Sequence, residues 1–127
     1  MNSLGVYAIV FYVNDINATL KHYEKIGFNV EVIKEGHLKI ALSNFEFEFH
    51  DKKLETIEEL KAEANKDPKG NGAFIYVKSN DIYTDYESIK ESGAIVSNIS
   101  KRPWGTIEFS ITDPDGYKLM IYQLSNE

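Results

Sequence analysis

The chain has 127 residues, 43% hydrophobic and 13% aromatic, with no cysteine and a formal charge of −6 from 14 basic and 20 acidic side chains. One compact domain fits that length, whereas a disulfide framework, a thiolate metal site and a cysteine nucleophile are excluded. Arg102 is the only arginine, which argues against a basic face for nucleic acid, and no apolar run suits a bilayer span or a secretory signal, so a cytoplasmic protein without nucleic-acid or membrane partners is expected.

Tyr7 to Val13 is rich in β-branched and aromatic residues and reads as a strand. From Asp15, apolar residues follow at Ile16, Leu20 and Tyr23, and Gly27 closes the segment. This predicts an amphipathic helix with an aspartate at its N-cap and a left-handed glycine at its end. Three strands are expected next, at 28–34, 37–42 and 45–50, divided by the turn signals Glu35-Gly36 and Ser43-Asn44. Residues 51–72 carry Ile57, Leu60 and Ala64 at helical spacing and then a Pro/Gly-rich loop, a linker helix that covers an edge, followed by a crossing.

The pattern then repeats. A strand is predicted at 73–77, and Asp81, Ile82, Tyr86, Ile89 and Gly93 reproduce the offsets of the first helix. Strands at 94–98, 106–112 and 117–124 follow, the last two joined by the turn Asp113-Pro114-Asp115-Gly116. The chain is thus βαβββ twice, with one module at 1–50, a linker at 51–72 and a second module at 73–127 within a single domain.

Alternation along the strands separates two faces. Phe45, Phe47 and Phe49 share one face and belong against a helix, which leaves Glu46, Glu48 and His50 on the other. Ile107, Phe109 and Ile111 likewise turn inward, opposite Thr106, Glu108 and Ser110, and Leu119 and Ile121 leave Lys118, Met120 and Tyr122 outside. One sheet face is therefore aromatic, acidic and hydroxylated. Solvation alone would account for Glu46, Glu48 and Glu108 there, were the face not also aromatic. His22 is read as lying on the outer side of the first helix.

The duplication, together with Pro103-Trp104-Gly105-Thr106-Ile107-Glu108-Phe109 and Asp113-Pro114-Asp115-Gly116-Tyr117, resembles the vicinal oxygen chelate superfamily of glyoxalases, extradiol dioxygenases and bleomycin-resistance proteins. The resemblance implies an α+β fold in which two fused βαβββ modules form a curved mixed sheet with the helices on its convex face. It also implies a metal site built from one position on the first and last strands of each module. Those positions fall on Ala8, Glu48, Gly72 or Ala73, and Met120, so one competent ligand of four remains. A private site from Glu46, Glu48 and His50 is disfavoured, because same-face neighbours on one strand lie roughly 7 Å apart. No metal and no cofactor is expected.

Within the superfamily the chain is most similar to the metal-free, bleomycin-resistance-like members, in Gly36-His37-Leu38, Glu48-Phe49 and Trp104-Gly105. The resemblance implies a homodimer that sequesters a cationic or amphipathic small molecule in a groove. His37, Glu46, Glu48, Phe74, Tyr76, Trp104, Glu108, Met120 and Tyr122 are the candidate ligand-binding residues, through stacking and cation–π attraction. His37 stands where drug-binding relatives carry a larger aromatic residue, which argues against bleomycin itself. No catalytic residue is assigned, since Ser110 has no histidine at a recognisable spacing and no phosphate-binding glycine loop occurs. Two other readings stand beside this one: a glyoxalase- or dioxygenase-like metalloenzyme with a relocated site, and a regulatory module that shares only the fold.

Overall fold

The computed structural model describes residues 1–126, in two compact units, Met1–Asp67 and Pro68 onward. The first unit contains β1 (Ala8–Val13), α1 (Ile16–Lys25), β2 (Glu31–Lys34), β3 (His37–Leu42), β4 (Phe45–Asp51), a short 3₁₀ turn (Lys52–Leu54) and α2 (Glu58–Ala64). Its four strands are ordered β1-β4-β3-β2, with β1 parallel to β4 and the other pairs antiparallel. The linker helix thus belongs to the first unit, where Ala64 is buried while Ile57 and Leu60 stay exposed.

The second unit contains β5 (Ile75–Lys78), α3 (Ile82–Glu91), β6 (Ile95–Val96), β7 (Ser100–Lys101), β8 (Thr106–Thr112) and β9 (Lys118–Leu124). Its sheet runs β5-β9-β8-β6, with β5 parallel to β9, and β7 also pairs with β8. The α+β βαβββ duplication is therefore present, each module forming its own hydrogen-bonded mixed sheet. The two-residue strand β7 was not anticipated: Ile99 to Lys101 carries too little alternation to stand out.

Each core is built on the predicted faces. Asp15 caps α1 by accepting from the N–H groups of Asn17 and Ala18 at 3.1 and 3.2 Å, and Asp81 caps α3 through Thr84 N at 3.3 Å. Gly27 and Gly93 leave the helices at φ 104° and 86°. Tyr23 of α1 packs on Phe49 at 4.6 Å between ring centres, with Phe11 stacked on Phe49 at 5.4 Å. In the second unit Tyr86 of α3 meets Phe109 edge-on at 5.0 Å.

The Asp113–Gly116 turn does the work expected of it. Asp113 Oδ1 accepts from the N–H groups of Asp115 and Tyr117, both at 2.9 Å. Its tip is met by Gly70, which sits at φ 78° and whose α-carbon face lies so close to the Gly116 carbonyl that a β-carbon would come within 2.5 Å of that oxygen.

One orientation is corrected. His22 is 6% exposed and faces the interior, with its ring edge-on to Tyr23 at 4.8 Å. It sits next to Tyr23 and three residues past Thr19, both buried, so the inner face of α1 is wider than its apolar residues alone suggest.

Candidate functional site

Each unit gathers its polar residues around one carboxylate. In the second unit that group is Glu108, which is 1% exposed. The strand carries it in, and its neighbours satisfy it. Thr106 Oγ1 and Trp104 Nε1 donate to Oε1 at 2.7 and 3.0 Å, while Tyr76 Oη and Arg102 Nε approach Oε2, both at 3.5 Å. Burial alone would raise the Glu108 carboxyl pKa, but the hydrogen bonds from Thr106 and Trp104 and the charge of Arg102 outweigh it and hold the group below its ordinary value.

The donors are themselves open to solvent: Trp104 is 65% exposed and Tyr76 50%. Tyr122 lies opposite Glu108 in the β8–β9 register and meets Tyr76 edge-on at 5.7 Å. Arg102 stands 5.9 Å from the centre of the Trp104 ring. A buried anion therefore pins a set of exposed rings. Phe74, two residues before Tyr76, is also exposed, whereas Met120 is 8% exposed and buried in the second unit. Sequence reading missed Arg102 and Thr106 as parts of this cluster, though Thr106 lies two residues from Glu108 on the same face.

In the first unit the carboxylate is Glu48. His37 Nε2 and His50 Nε2 lie 2.9 and 3.2 Å from its Oε1, with the imidazole rings 4.3 Å apart. His37 and His50 are direct partners across the β3–β4 ladder, and Glu48 shares their face. The strand spacing used to set His50 and Glu48 apart describes backbones, and two side chains of this length close the gap between their ends. Burial would raise the Glu48 carboxyl, yet hydrogen bonds from His50 and then His37 bring it below the ordinary range. Glu46, opposite Ala8 and Ala41, lies within hydrogen-bond reach of Glu48 and adds to that lowering, and its hydrogen bond with Tyr7 pushes that phenol upward.

Beside the two imidazoles opens a cleft of about 570 Å³, lined by Tyr12, His37, His50, Leu54, Glu55 and Thr56 among others. Tyr12 Oη donates to Glu55 Oε1 at 2.5 Å across it, and burial together with that bond pushes the phenol up to about 12. His50 meets Tyr12 edge-on at 6.0 Å. Neither Tyr12 nor Glu55 was among the sequence candidates.

The metal positions implied by the superfamily do not fit an ion. Ala8 offers a methyl group opposite Glu46, and Met120 offers only a buried thioether where a carboxylate is needed. Among the described residues no helix is long and apolar enough to cross a membrane.

Comparison with known proteins agrees with the fold. A glyoxalase/bleomycin-resistance-like protein from Nocardioides matches with a TM-score of 0.78 at 17% identity, over 98% of this chain and 85% of that one. TnmS3, an antibiotic-binding protein from Streptomyces, matches with a TM-score of 0.75 at 20% identity, over 98% and 99%. A bleomycin-binding protein in complex with bleomycin gives 0.69 at 18% identity, over 96% and 98%. No curated protein sequence matches the chain. The family model of the Glyoxalase/Bleomycin resistance protein/Dioxygenase superfamily matches residues 5–121, nearly the whole sequence, and the chain belongs to that superfamily.

Proposed function

We propose that this protein binds and sequesters a small amphipathic compound, cationic for preference, without altering it chemically. The observation that carries the reading is the ring set of the second unit. Trp104 and Tyr76 are half-exposed or more, yet each is tied to the buried Glu108 carboxylate, with Tyr122 packed edge-on to Tyr76. Rings fixed before the ligand arrives lose little side-chain freedom on binding, which is how stacking converts into affinity. Two solved proteins of this fold bind antibiotics, bleomycin in one case.

Glu108 itself is not the cation's partner, because its oxygens already serve four donors. Attraction for a cation comes from the ring faces and from the net charge of −6. The reading includes a homodimer, which would cover exposed apolar side chains such as Val32 and Ile95, and a ligand groove in the second unit to which Phe74 and Met120 contribute.

Trp104 is the only tryptophan, so its fluorescence reports directly on this site. Titration with a panel of cationic aromatic antibiotics, bleomycin included, is expected to give saturable quenching, lost in Tyr76→Ala, with the compound recovered intact by mass spectrometry. Sedimentation should report a dimer. Silence across the panel in calorimetry as well as fluorescence would overturn the reading.

A further inference from the structure

The His37–Glu48–His50 triad lies in the first unit and takes no part in the ring set described above. It is the only group of three or more His, Asp or Glu side chains with metal-holding geometry among the described residues, and its donor atoms all lie within 4.8 Å of one another. Two imidazoles and one carboxylate form a donor set suited to a borderline divalent ion such as zinc, cobalt, nickel or ferrous iron. In a tetrahedral site with bonds of about 2.0–2.1 Å, neighbouring donors stand about 3.3 Å apart. The two nitrogen-to-oxygen separations of 2.9 and 3.2 Å are already close to that.

The backbone makes the convergence reproducible. His37 and His50 are held opposite each other by the β3–β4 register, and Glu48 lies one same-face step along β4. All three are partly buried, with side chains 16 to 31% exposed. The cleft under Tyr12 and Glu55 reaches both imidazoles, which leaves room for water or an exogenous ligand at the remaining coordination positions. The third histidine, His22, is buried and offers no competing surface site.

We propose that His37, Glu48 and His50 bind one divalent transition-metal ion, with open coordination positions facing the cleft. Both Nε2 atoms stand at hydrogen-bond distance from Glu48 Oε1. Metal binding requires the proton of each ring to sit on Nδ1, so that both Nε2 lone pairs face the ion. Two of the three ligands stand outside the metal positions implied by the superfamily.

The test uses the untagged full chain, stripped with chelator and exchanged into chelator-free buffer. Calorimetric titration with zinc is expected to show one ion per chain. Cobalt should produce visible absorption bands of an imidazole-ligated ion, and zinc should raise the melting temperature. His37→Ala, His50→Ala and Glu48→Gln should each weaken binding at least tenfold and abolish the cobalt bands. His37→Gln, which retains a donor toward Glu48, separates loss of a ligand from loss of a hydrogen bond: it should keep the fold by circular dichroism and still lose the metal. The proposal is overturned if the wild-type chain shows no saturable one-site binding, or if folded His37→Gln and His50→Ala bind zinc as tightly as wild type. Neither result touches the ring set around Glu108, whose titration is read separately through Trp104.

Discussion

Replacing Glu108 tests whether a buried carboxylate organises the ring set. Glu108→Gln preserves shape and keeps one acceptor oxygen, which can still serve Thr106 and Trp104, bonded at 2.7 and 3.0 Å in the native chain. Hydrogen bonds to a charged group are worth about 1.5–3 kcal/mol against about 0.5–1.5 for neutral ones, so the two short bonds together lose about 2 kcal/mol. Arg102 is 39% exposed and can return to water, so its lost partner adds little. Glu108→Ala also leaves a cavity and orphans both donors, for about 3–4 kcal/mol. Urea denaturation followed by circular dichroism measures both losses. The freed indole should show lower fluorescence anisotropy, and ligand affinity should fall by about 1–3 kcal/mol, about five- to 150-fold, as two side chains lose their fixed rotamers. If Glu108→Gln changes stability by less than about 0.5 kcal/mol and leaves the anisotropy of Trp104 untouched, the carboxylate is not what holds the rings.

His22 should give the protein an acid-sensitive limb: burial, and then Lys25, lower its pKa from 6.5 to about 4, and Nε2 has no hydrogen-bond partner among the protein atoms. The unfolded chain takes up the proton first, so this contribution is complete above pH 6.5 and is lost as the pH falls toward 4, by up to about 3 kcal/mol and nearer 2 once solvent screening is allowed. His22→Leu should flatten that stretch of the stability–pH curve and add about 1 kcal/mol at pH 7, and an unchanged curve would contradict the assignment. Gly70→Ala should destabilise by about 2–3 kcal/mol, because the new methyl meets the Gly116 carbonyl at a backbone angle that alanine resists, and a melting temperature within a degree of wild type would show that the loop and turn are not in contact.

Much of the fold was legible because both helices carry the same caps and spacing, and because Phe45, Phe47 and Phe49 alternate without interruption. The site was legible only in part. The pairing of His37 with His50 follows from the two-residue turn Ser43-Asn44, which forces Leu42 opposite Phe45 and every earlier pair with it, so the cross-strand histidines could have been found from sequence. The burial of Glu108 could not. Alternation places it on the polar face, and only tertiary packing brings Trp104, Tyr76 and Arg102 over it. The same holds for His22, whose inward turn depends on how α1 sits on its sheet rather than on the type of residue.

The duplication also explains why the two clusters look alike while differing in chemistry. Val10 pairs with Glu48, and Tyr76, sixty-six residues further on, pairs with Met120, so Glu48 and Met120 occupy equivalent places. One step along, His50 corresponds to Tyr122, and their cross-strand partners are His37 and Glu108. A carboxylate therefore sits at the hub in both units but comes from different strands: β4 in the first, where it draws two imidazoles together, and β8 in the second, where it fixes an indole and a phenol. Moving the acid from one strand to its neighbour changes which side chains can reach it. On the two proposals made above, the first arrangement offers its imidazoles to a metal ion and the second offers its ring faces to an organic cation. If both proposals hold, divergence of two copies at the same pair of strands is what gives one small chain two separate binding chemistries.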